Sequence, residues 1–291
     1  MHHMLLKKST IQLLRFPFSF FLMPVFWFAL SFTENINWLN AIASFLLLHL
    51  LLYPASNGYN SYMDRDTESI GGLEKPMEPS YELYQTSLFM DFLGLILAFV
   101  ISIHFGLGYL CYILFSRLYS WRKIRLKQYP IIGYLTVIVN QGALVFYMVF
   151  EVCSNVISPS VPLDLLIAAS LLIGGFYPIT QIYQHKQDQE DGVKTISILL
   201  GKKGTFFFCM CLYLLAFGIL FWHFNQQGTL NQFFILQLFF LPVVIYFLFW
   251  FYKVWKNPIE AGFKQTMFMN WLASSCTNAA FITLLILKYF G

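Results

Sequence analysis

The sequence predicts an all-α polytopic membrane protein, and three observations carry this prediction. Of the 291 residues, 58% are hydrophobic and only 11% are charged, whereas about 25% of residues are charged in an average soluble domain. The apolar residues form runs that are long enough to cross a bilayer as helices. The polar stretches between these runs are too short to fold by themselves. We therefore expect residues 1–291 to form one integral-membrane domain.

Nine apolar segments follow one another along the chain. They cover approximately residues 11–32, 38–62, 86–104, 105–119, 130–151, 162–184, 204–224, 231–252 and 264–288. The fourth segment is short for a membrane span. The sequence therefore predicts nine transmembrane helices, with the fourth as the least typical.

The positions of Lys and Arg support nine spans and give an orientation. With nine spans, all of the 18 Lys and Arg residues except Lys288 fall on the side of the membrane that holds the N-terminus. Because these residues concentrate on the cytoplasmic side, we expect a cytoplasmic N-terminus in the cell inner or plasma membrane. The longer, more polar loops lie on that side, so we expect the chemistry there. The net charge of +4 is modest, and we expect no nucleic-acid partner.

A polar motif ends the second segment. Asn57, Asn60, Asp64 and Glu68 are spaced by three, four and four residues, so on one continuous helix they would share a face. Polar and ionisable side chains at membrane depth are costly and usually functional. The alternative is a helix end whose acidic residues are simply solvated.

A second polar motif ends the sixth segment. Its spacing of three and four residues would place Gln181, Gln184, Asp188 and Asp191 on one side of a helix. Segments two and six end on the same membrane face, so the two acidic motifs can meet across a cavity. Without cations between them they would repel one another. Hard oxygen ligands favour Mg²⁺, with Mn²⁺ as the alternative, shared with water and a phosphate substrate.

The order and spacing of the motifs match a known family. The matching stretches are Asn60-Ser-Tyr-Met-Asp64-Arg-Asp-Thr-Glu68, Tyr119-Ser120 with Arg125-Leu-Lys127, and Asp188-Gln-Glu-Asp191-Gly192-Val-Lys194-Thr195 with Leu199-Leu-Gly201. Together with the number of spans, they resemble the UbiA-type intramembrane prenyltransferase superfamily over nearly the whole chain.

The resemblance implies nine helices bundled around a central lipid-open cavity. It implies Mg²⁺-dependent transfer of a prenyl chain from a prenyl diphosphate to a lipophilic or aromatic acceptor within the membrane lipid. The implied catalytic residues are Asp64, Glu68 and Asp188. The same three are implied metal ligands, joined by Asp191 and Gln184, and the implied diphosphate-binding residues are Asn60, Arg125, Lys127, Lys194 and Arg15.

Two positions depart from the family pattern and keep alternatives open. Gln184 stands where the family has an acid, and Glu68 replaces an aspartate. One alternative is a membrane terpene cyclase that uses the same metal and diphosphate site. The other is a prenyl-lipid binding protein without catalysis, for which Gln184 is the motivating residue.

Overall fold

The computed structural model describes residues 6–290, and this part of the chain confirms the predicted all-helical fold. Within it, the long helices are α1 (Lys8–Phe32), α2 (Trp38–Asp64), α3 (Tyr81–Ile101), α4 (Ile103–Ser120), α5 (Pro130–Cys153), α6 (Leu163–Gln181), α7 (Ile196–Gln226), α8 (Leu230–Lys256) and α9 (Phe263–Phe290). A short helix (His185–Glu190) and two 3₁₀ turns (Leu126–Gln128 and Pro258–Glu260) lie in the loops.

Eight of the long helices, all except α4, are long and apolar enough to cross a membrane. The exception is the short fourth segment of the prediction, which forms a helix of 18 residues. It runs antiparallel to α3, since Arg117 near its end forms an ion pair with Asp91 inside α3. At its start, His104 Nδ1 lies 3.0 Å from Glu151 Oε1 near the end of α5. The helix therefore joins the two ends of the bundle, as the predicted topology requires.

The loops gather at the two ends of the bundle. At one end, called the site end below, Ser120 Oγ donates to Asn60 Oδ1 over 2.7 Å. At the opposite end, the Asn37 amide donates to Cys153 O over 2.7 Å, and Lys288 Nζ donates to a backbone carbonyl of the loop after α1. Segments that are far apart in sequence are thus held together at each end.

Irregular turns occur inside α1, α2 and α5. Arg15 in α1 has a left-handed backbone (φ 49°) and is followed by a 3₁₀ turn at Phe16–Phe21. In α2, a π-helical turn at Leu47–Leu52 directly precedes Pro54, which has no amide hydrogen to donate to the helix. A second π-helical turn, Val139–Leu144, lies inside α5. The apolar pattern of the sequence predicted none of these turns.

The predicted segment ends differ from the helix ends where polar residues remain helical. The seventh segment was expected to begin at 204, but α7 begins at Ile196. Its first turns carry Lys202 and Lys203, which interrupt the apolar run without ending the helix, although Gly201 has a non-helical backbone (φ 68°). The third segment was expected at 86, whereas α3 begins at Tyr81.

The closest approach between α5 and α6 depends on a glycine. A Cβ added at Gly142 would lie 2.6 Å from Ser170 Cα and 2.8 Å from its backbone nitrogen. These are backbone atoms, which cannot rotate away as the end of a side chain can. At the same place the backbone amide of Ala143 in α5 donates a hydrogen bond to Ser170 Oγ in α6 over 3.1 Å.

We expect Gly142→Ala to destabilise the protein by about 1–3 kcal/mol, because α5 and α6 must separate to admit one methyl group. Thermal unfolding of the purified protein in detergent measures this change. Gly218→Ala is the matched control, since a Cβ at Gly218 in α7 meets nothing within 4 Å and alanine is the better helix former. Equal melting temperatures for the two variants would contradict the packing described here.

Candidate functional site

A polar cavity of about 190 Å³ opens at the site end of the bundle. Its wall is formed by the irregular part of α1, by the ends of α2, α4 and α6, by α5, and by the loops that follow α2, α4 and α6. The predicted site residues that line it are Arg15, Asn60, Asp64, Lys127, Gln184 and Asp188. Glu68, Arg125, Asp191 and Lys194 are not part of its wall.

The first acidic motif is divided by the end of α2. Asp64 is the last helical residue, because Arg65 adopts a left-handed backbone (φ 56°) that ends the helix. The Asp64 side chain is only 3% exposed and faces the cavity, whereas that of Glu68 is 52% exposed and lies 3.8 Å from Lys186 Nζ. The expectation that Glu68 shares a helix face with Asp64 is therefore wrong, since no helix connects the two residues.

Asp66 lines the cavity, and the sequence reasoning missed it. The helix ends at Arg65, and the residues on either side of it, Asp64 and Asp66, both line the same cavity. Gln187 Nε2 donates to Asp66 Oδ1 over 2.8 Å. Burial, together with the neighbouring Asp64 carboxylate, raises the pKa of Asp66 to about 6. The Asp-x-Asp spacing after a helix end is the signal that could have identified this residue.

The second acidic motif is also not one helix face. The helix α6 closes in a 3₁₀ turn at Gln181, and the short helix begins after Gln184, which lies at its N-cap. Gln181, Gln184 and Asp188 nevertheless all line the cavity, so the two motifs meet as predicted. Burial raises the pKa of Asp188 to about 7; the ammonium of Lys127 opposes this rise, and Asp66 adds to it.

Amide side chains join the second motif to the loop after α2. Gln184 Nε2 donates to Ser69 O over 3.4 Å, in addition to the bond from Gln187 to Asp66. The Gln181 side chain donates from Nε2 to Tyr177 Oη over 2.8 Å, while its buried Oε1 has no hydrogen-bond partner among residues 6–290. The amides thus hold the two acidic segments in place without adding charge.

The loop between α4 and α5 supplies most of the cations. Lys127 Nζ lies 2.6 Å from Asp64 Oδ2 and reaches into the cavity. Arg125 is 3.6 Å from Asp64 Oδ1 and forms a shorter ion pair with Asp191. Although partial burial acts in the opposite direction, the hydrogen bond and charge of Arg125 hold the pKa of Asp191 below its ordinary value. Arg122 caps α2 by donating from Nη2 to Asp64 O over 2.9 Å, a contact that suits a helix C-terminus.

The remaining predicted cations lie in different surroundings. Arg15 is buried and lines the cavity, donating from Nη1 to Gly71 O over 3.1 Å and from Nη2 to Asn57 Oδ1 over 3.2 Å. Lys194 is exposed and outside the cavity wall. Asn60, the predicted supporting amide, lines the cavity and accepts the hydrogen bond from Ser120 that was described above.

A second, apolar cavity of about 350 Å³ lies deeper in the bundle. Residues of α1, α6, α7, α8 and α9 line it, and Gln237, Ser274 and Thr277 are among its few polar side chains. Phe21 and Phe176 line this cavity, whereas their near neighbours Phe18 and Tyr177 line the polar one. The two cavities are therefore adjacent. The sequence is 20% aromatic, but its composition does not indicate where aromatic side chains would enclose a cavity.

The oxygen-rich wall of the polar cavity fits a hard cation. Within residues 6–290, no group of three or more His, Cys, Asp or Glu side chains lies close enough to hold a metal ion by itself. The buried Asp64 Oδ1 has no hydrogen-bond partner in the same range. Burial is the main cause of the raised pKa values of Asp66 and Asp188, and a cation beside these carboxyl groups would favour their charged forms. Carboxylates combined with water and phosphate oxygens are the ligands that Mg²⁺ prefers.

Comparison with known proteins gives a consistent picture. A UbiA homolog from Archaeoglobus fulgidus bound to GPP and Mg²⁺ has a TM-score of 0.70 and 20% identity, with 96% of this chain and 99% of that chain covered. The apo structure of a UbiA homolog from Aeropyrum pernix K1 has a TM-score of 0.67 and 16% identity, with 92% and 98% covered. A digeranylgeranylglyceryl phosphate synthase has a TM-score of 0.63 and 21% identity, with 96% and 98% covered.

The family itself is identified by a sequence profile. No curated protein matches the chain. The profile described as UbiA prenyltransferase family matches residues 21–272, a range that contains both acidic motifs and the basic loop. The chain belongs to the UbiA prenyltransferase family.

Proposed function

We propose that this protein is a Mg²⁺-dependent prenyltransferase that moves a prenyl chain from its diphosphate to a lipophilic or aromatic acceptor within the membrane. The observation that carries the proposal is the meeting of Asp64, Asp66 and Asp188 with Lys127 in one cavity at the end of an apolar bundle. The homolog from Archaeoglobus fulgidus was solved with GPP and Mg²⁺, which supports the same ligands here.

The cavity residues divide into ligands of the metal and ligands of the diphosphate. Asp64, Asp66 and Asp188 would hold Mg²⁺, and Mn²⁺ has the same ligand preference. When bound, the ion supplies positive charge beside the departing diphosphate. Lys127 and Arg15 both line the cavity and would supply fixed cations to the phosphate oxygens.

The remaining predicted residues take supporting roles in the proposal. Asn60 and Gln184 offer amide groups at the cavity wall. Asp191 holds Arg125 near Asp64 through the ion pair described above. Glu68 and Lys194 are exposed and outside the cavity wall, where their charges would affect a diphosphate as it enters the cavity.

The apolar cavity provides a place for the isoprenoid chain. It adjoins the polar cavity and is lined mainly by aromatic and aliphatic side chains. Such a lining excludes water, which would otherwise compete with the acceptor for the ionised allylic carbon. In this proposal the charged diphosphate binds in the polar cavity and the isoprenoid chain in the apolar one.

The distribution of basic residues supports one orientation of the protein in the membrane. Lys288 lies at the end of the bundle opposite the site, whereas the loops at the site end carry the basic residues of the chain. Positively charged loops favour the cytoplasm, so we propose that the N-terminus and the active site face the cytoplasm from a cell inner or plasma membrane. We propose further that residues 1–291 act as one catalytic unit surrounded by membrane lipid.

Replacing Asp64 or Asp188 with Asn should lower Mg²⁺-dependent turnover of a prenyl diphosphate by at least about 100-fold, because each change removes a charge that the site needs. The measurement is release of diphosphate by the purified protein with a prenyl diphosphate and a membrane lipid extract. Glu190→Gln is the matched control, since Glu190 lies on the same short helix as Asp188 but is 65% exposed and paired with Lys186. Full activity in both Asp variants would refute the proposal.

The first motif offers a separate test, because the sequence favours Glu68 and the structure favours Asp66 as the partner of Asp64. We expect Asp66→Asn to reduce turnover about as strongly as Asp64→Asn, and Glu68→Gln to reduce it less than about threefold, as is usual for an exposed pair. The same assay compares the two variants. A larger loss in Glu68→Gln than in Asp66→Asn would contradict the choice of Asp66 as the partner of Asp64.

A further inference from the structure

The polar cavity continues into the bundle as an arm between α2, α4 and α5. Its deep wall includes the apolar side chains of Phe115 and Val137 and is formed otherwise by hydroxyl and amide side chains. These are Ser56, Tyr112, Ser116, Thr136, Asn140 and Gln141. Ser56 Oγ and Ser116 Oγ are 2.6 Å apart, and Asn140 Nδ2 donates to Tyr112 O over 3.2 Å. We call these six residues the polar arm.

Helix geometry gives the depth of the polar arm. Ser56 lies eight residues before Asp64 on α2, and Gln141 lies eleven residues after the start of α5. With a rise of about 1.5 Å per residue, the arm reaches roughly 12–16 Å into the bundle from the site end. A group that binds there is therefore distant from the loops that carry most of the cations.

No charged side chain belongs to the polar arm. The charged residues of the cavity wall are Arg15, Asp64, Asp66, Lys127 and Asp188, and they lie at the site end. Three are anionic and two are cationic, so the mouth has no surplus of positive charge. A carboxylate or phosphate in the arm would have no cation to pair with, and an unpaired buried charge is strongly unfavourable.

An isoprenoid chain also fits the arm poorly. Several of these hydroxyl and amide groups already bond one another or the backbone, but their remaining donors and acceptors would lose water against such a chain. The neighbouring apolar cavity, with few polar groups in its wall, accepts the chain without this cost. The arm therefore matches a ligand that is polar but uncharged.

We propose that the polar arm binds the hydrogen-bonding end of the acceptor, and that this acceptor is uncharged there, carrying hydroxyl or carbonyl groups and no carboxylate or phosphate. The proposal rests on the proposed prenyltransferase function and narrows its acceptor. Gln141 is the residue of the arm that discriminates, because its amide both donates and accepts while carrying no charge.

Two pools of acceptors test the proposal with radiolabelled geranylgeranyl diphosphate and Mg²⁺. The uncharged pool contains the neutral fraction of a membrane lipid extract, separated by anion exchange, with added methyl 4-hydroxybenzoate. The anionic pool contains the acidic fraction with added 4-hydroxybenzoate. We expect label to enter products of the uncharged pool at least about 100-fold faster, which corresponds to the cost of an unpaired buried charge.

A Gln141→Leu variant tests the residue itself. It should raise the apparent KM for the acceptor about tenfold, the value of one hydrogen bond, without changing Mg²⁺-dependent binding of an unreactive thiolodiphosphate analogue. Asn278→Leu is the matched control, since Asn278 is a buried amide of α9 that lines neither cavity. It should leave both quantities unchanged.

Binding of the analogue separates the two levels of the proposal. If parent protein does not bind the analogue with Mg²⁺, the prenyltransferase function itself is refuted. The proposal of an uncharged acceptor is refuted if the protein binds the analogue but labels only the anionic pool or neither pool. It is also refuted if Gln141→Leu leaves the apparent KM for the acceptor unchanged. In each of these cases the diphosphate site stands.

Discussion

The ion pair between Lys127 and Asp64 is the contact on which the site depends. Three carboxylates from two distant segments line one cavity, where the low dielectric of the bundle strengthens their repulsion. Lys127 Nζ, 2.6 Å from Asp64 Oδ2, enters between them. Burial raises the pKa of Asp188 to about 7 although this cation opposes the rise, so the added charge of a divalent ion would favour the ionised carboxylates.

The fold places these groups by ending helices at the correct points. Arg65 stops α2 so that Asp64 and Asp66 both reach the cavity, and the break in α6 before Gln184 lets the chain turn Asp188 inward. The loop after α4 then crosses between these two ends, where Arg122 caps α2 and Arg125 pairs with Asp191. A membrane bundle can carry irregular backbone of this kind only at its ends or beside a polar cavity.

The polar and apolar cavities offer separate binding sites for the chemically different parts of the substrates. The charged mouth matches a diphosphate, the apolar cavity beyond Phe21 and Phe176 matches an isoprenoid chain, and the polar arm beside α5 matches an uncharged hydrogen-bonding group. The π-helical turn of α5 contains Asn140 and Gln141, so an irregular turn presents the amides of this arm. Such turns occur frequently at functional sites.

Much of the fold followed from sequence because lipid permits few architectures. Apolar runs predicted the helices. The positions of Lys and Arg put the ends of segments two and six on one membrane face, which predicted that the motifs containing Asp64 and Asp188 would meet. Spacing alone was misleading at Glu68, since it assumed a helix that continues past Asp64. One left-handed residue, Arg65, ends the helix there, and Asp66 rather than Glu68 lines the cavity. The apolar cavity was beyond prediction because it depends on gaps between side chains of five helices.

Calorimetric titration of the detergent-solubilised protein with an unreactive thiolodiphosphate analogue tests the central claim, which is that the carboxylate cluster binds diphosphate through a divalent cation. With Mg²⁺ present we expect saturable binding to one site per chain. Chelation of the metal, or the Asp64→Asn substitution, should weaken this binding by at least about 100-fold. Equal affinity with and without Mg²⁺, or an affinity that Asp64→Asn leaves unchanged, would contradict the account.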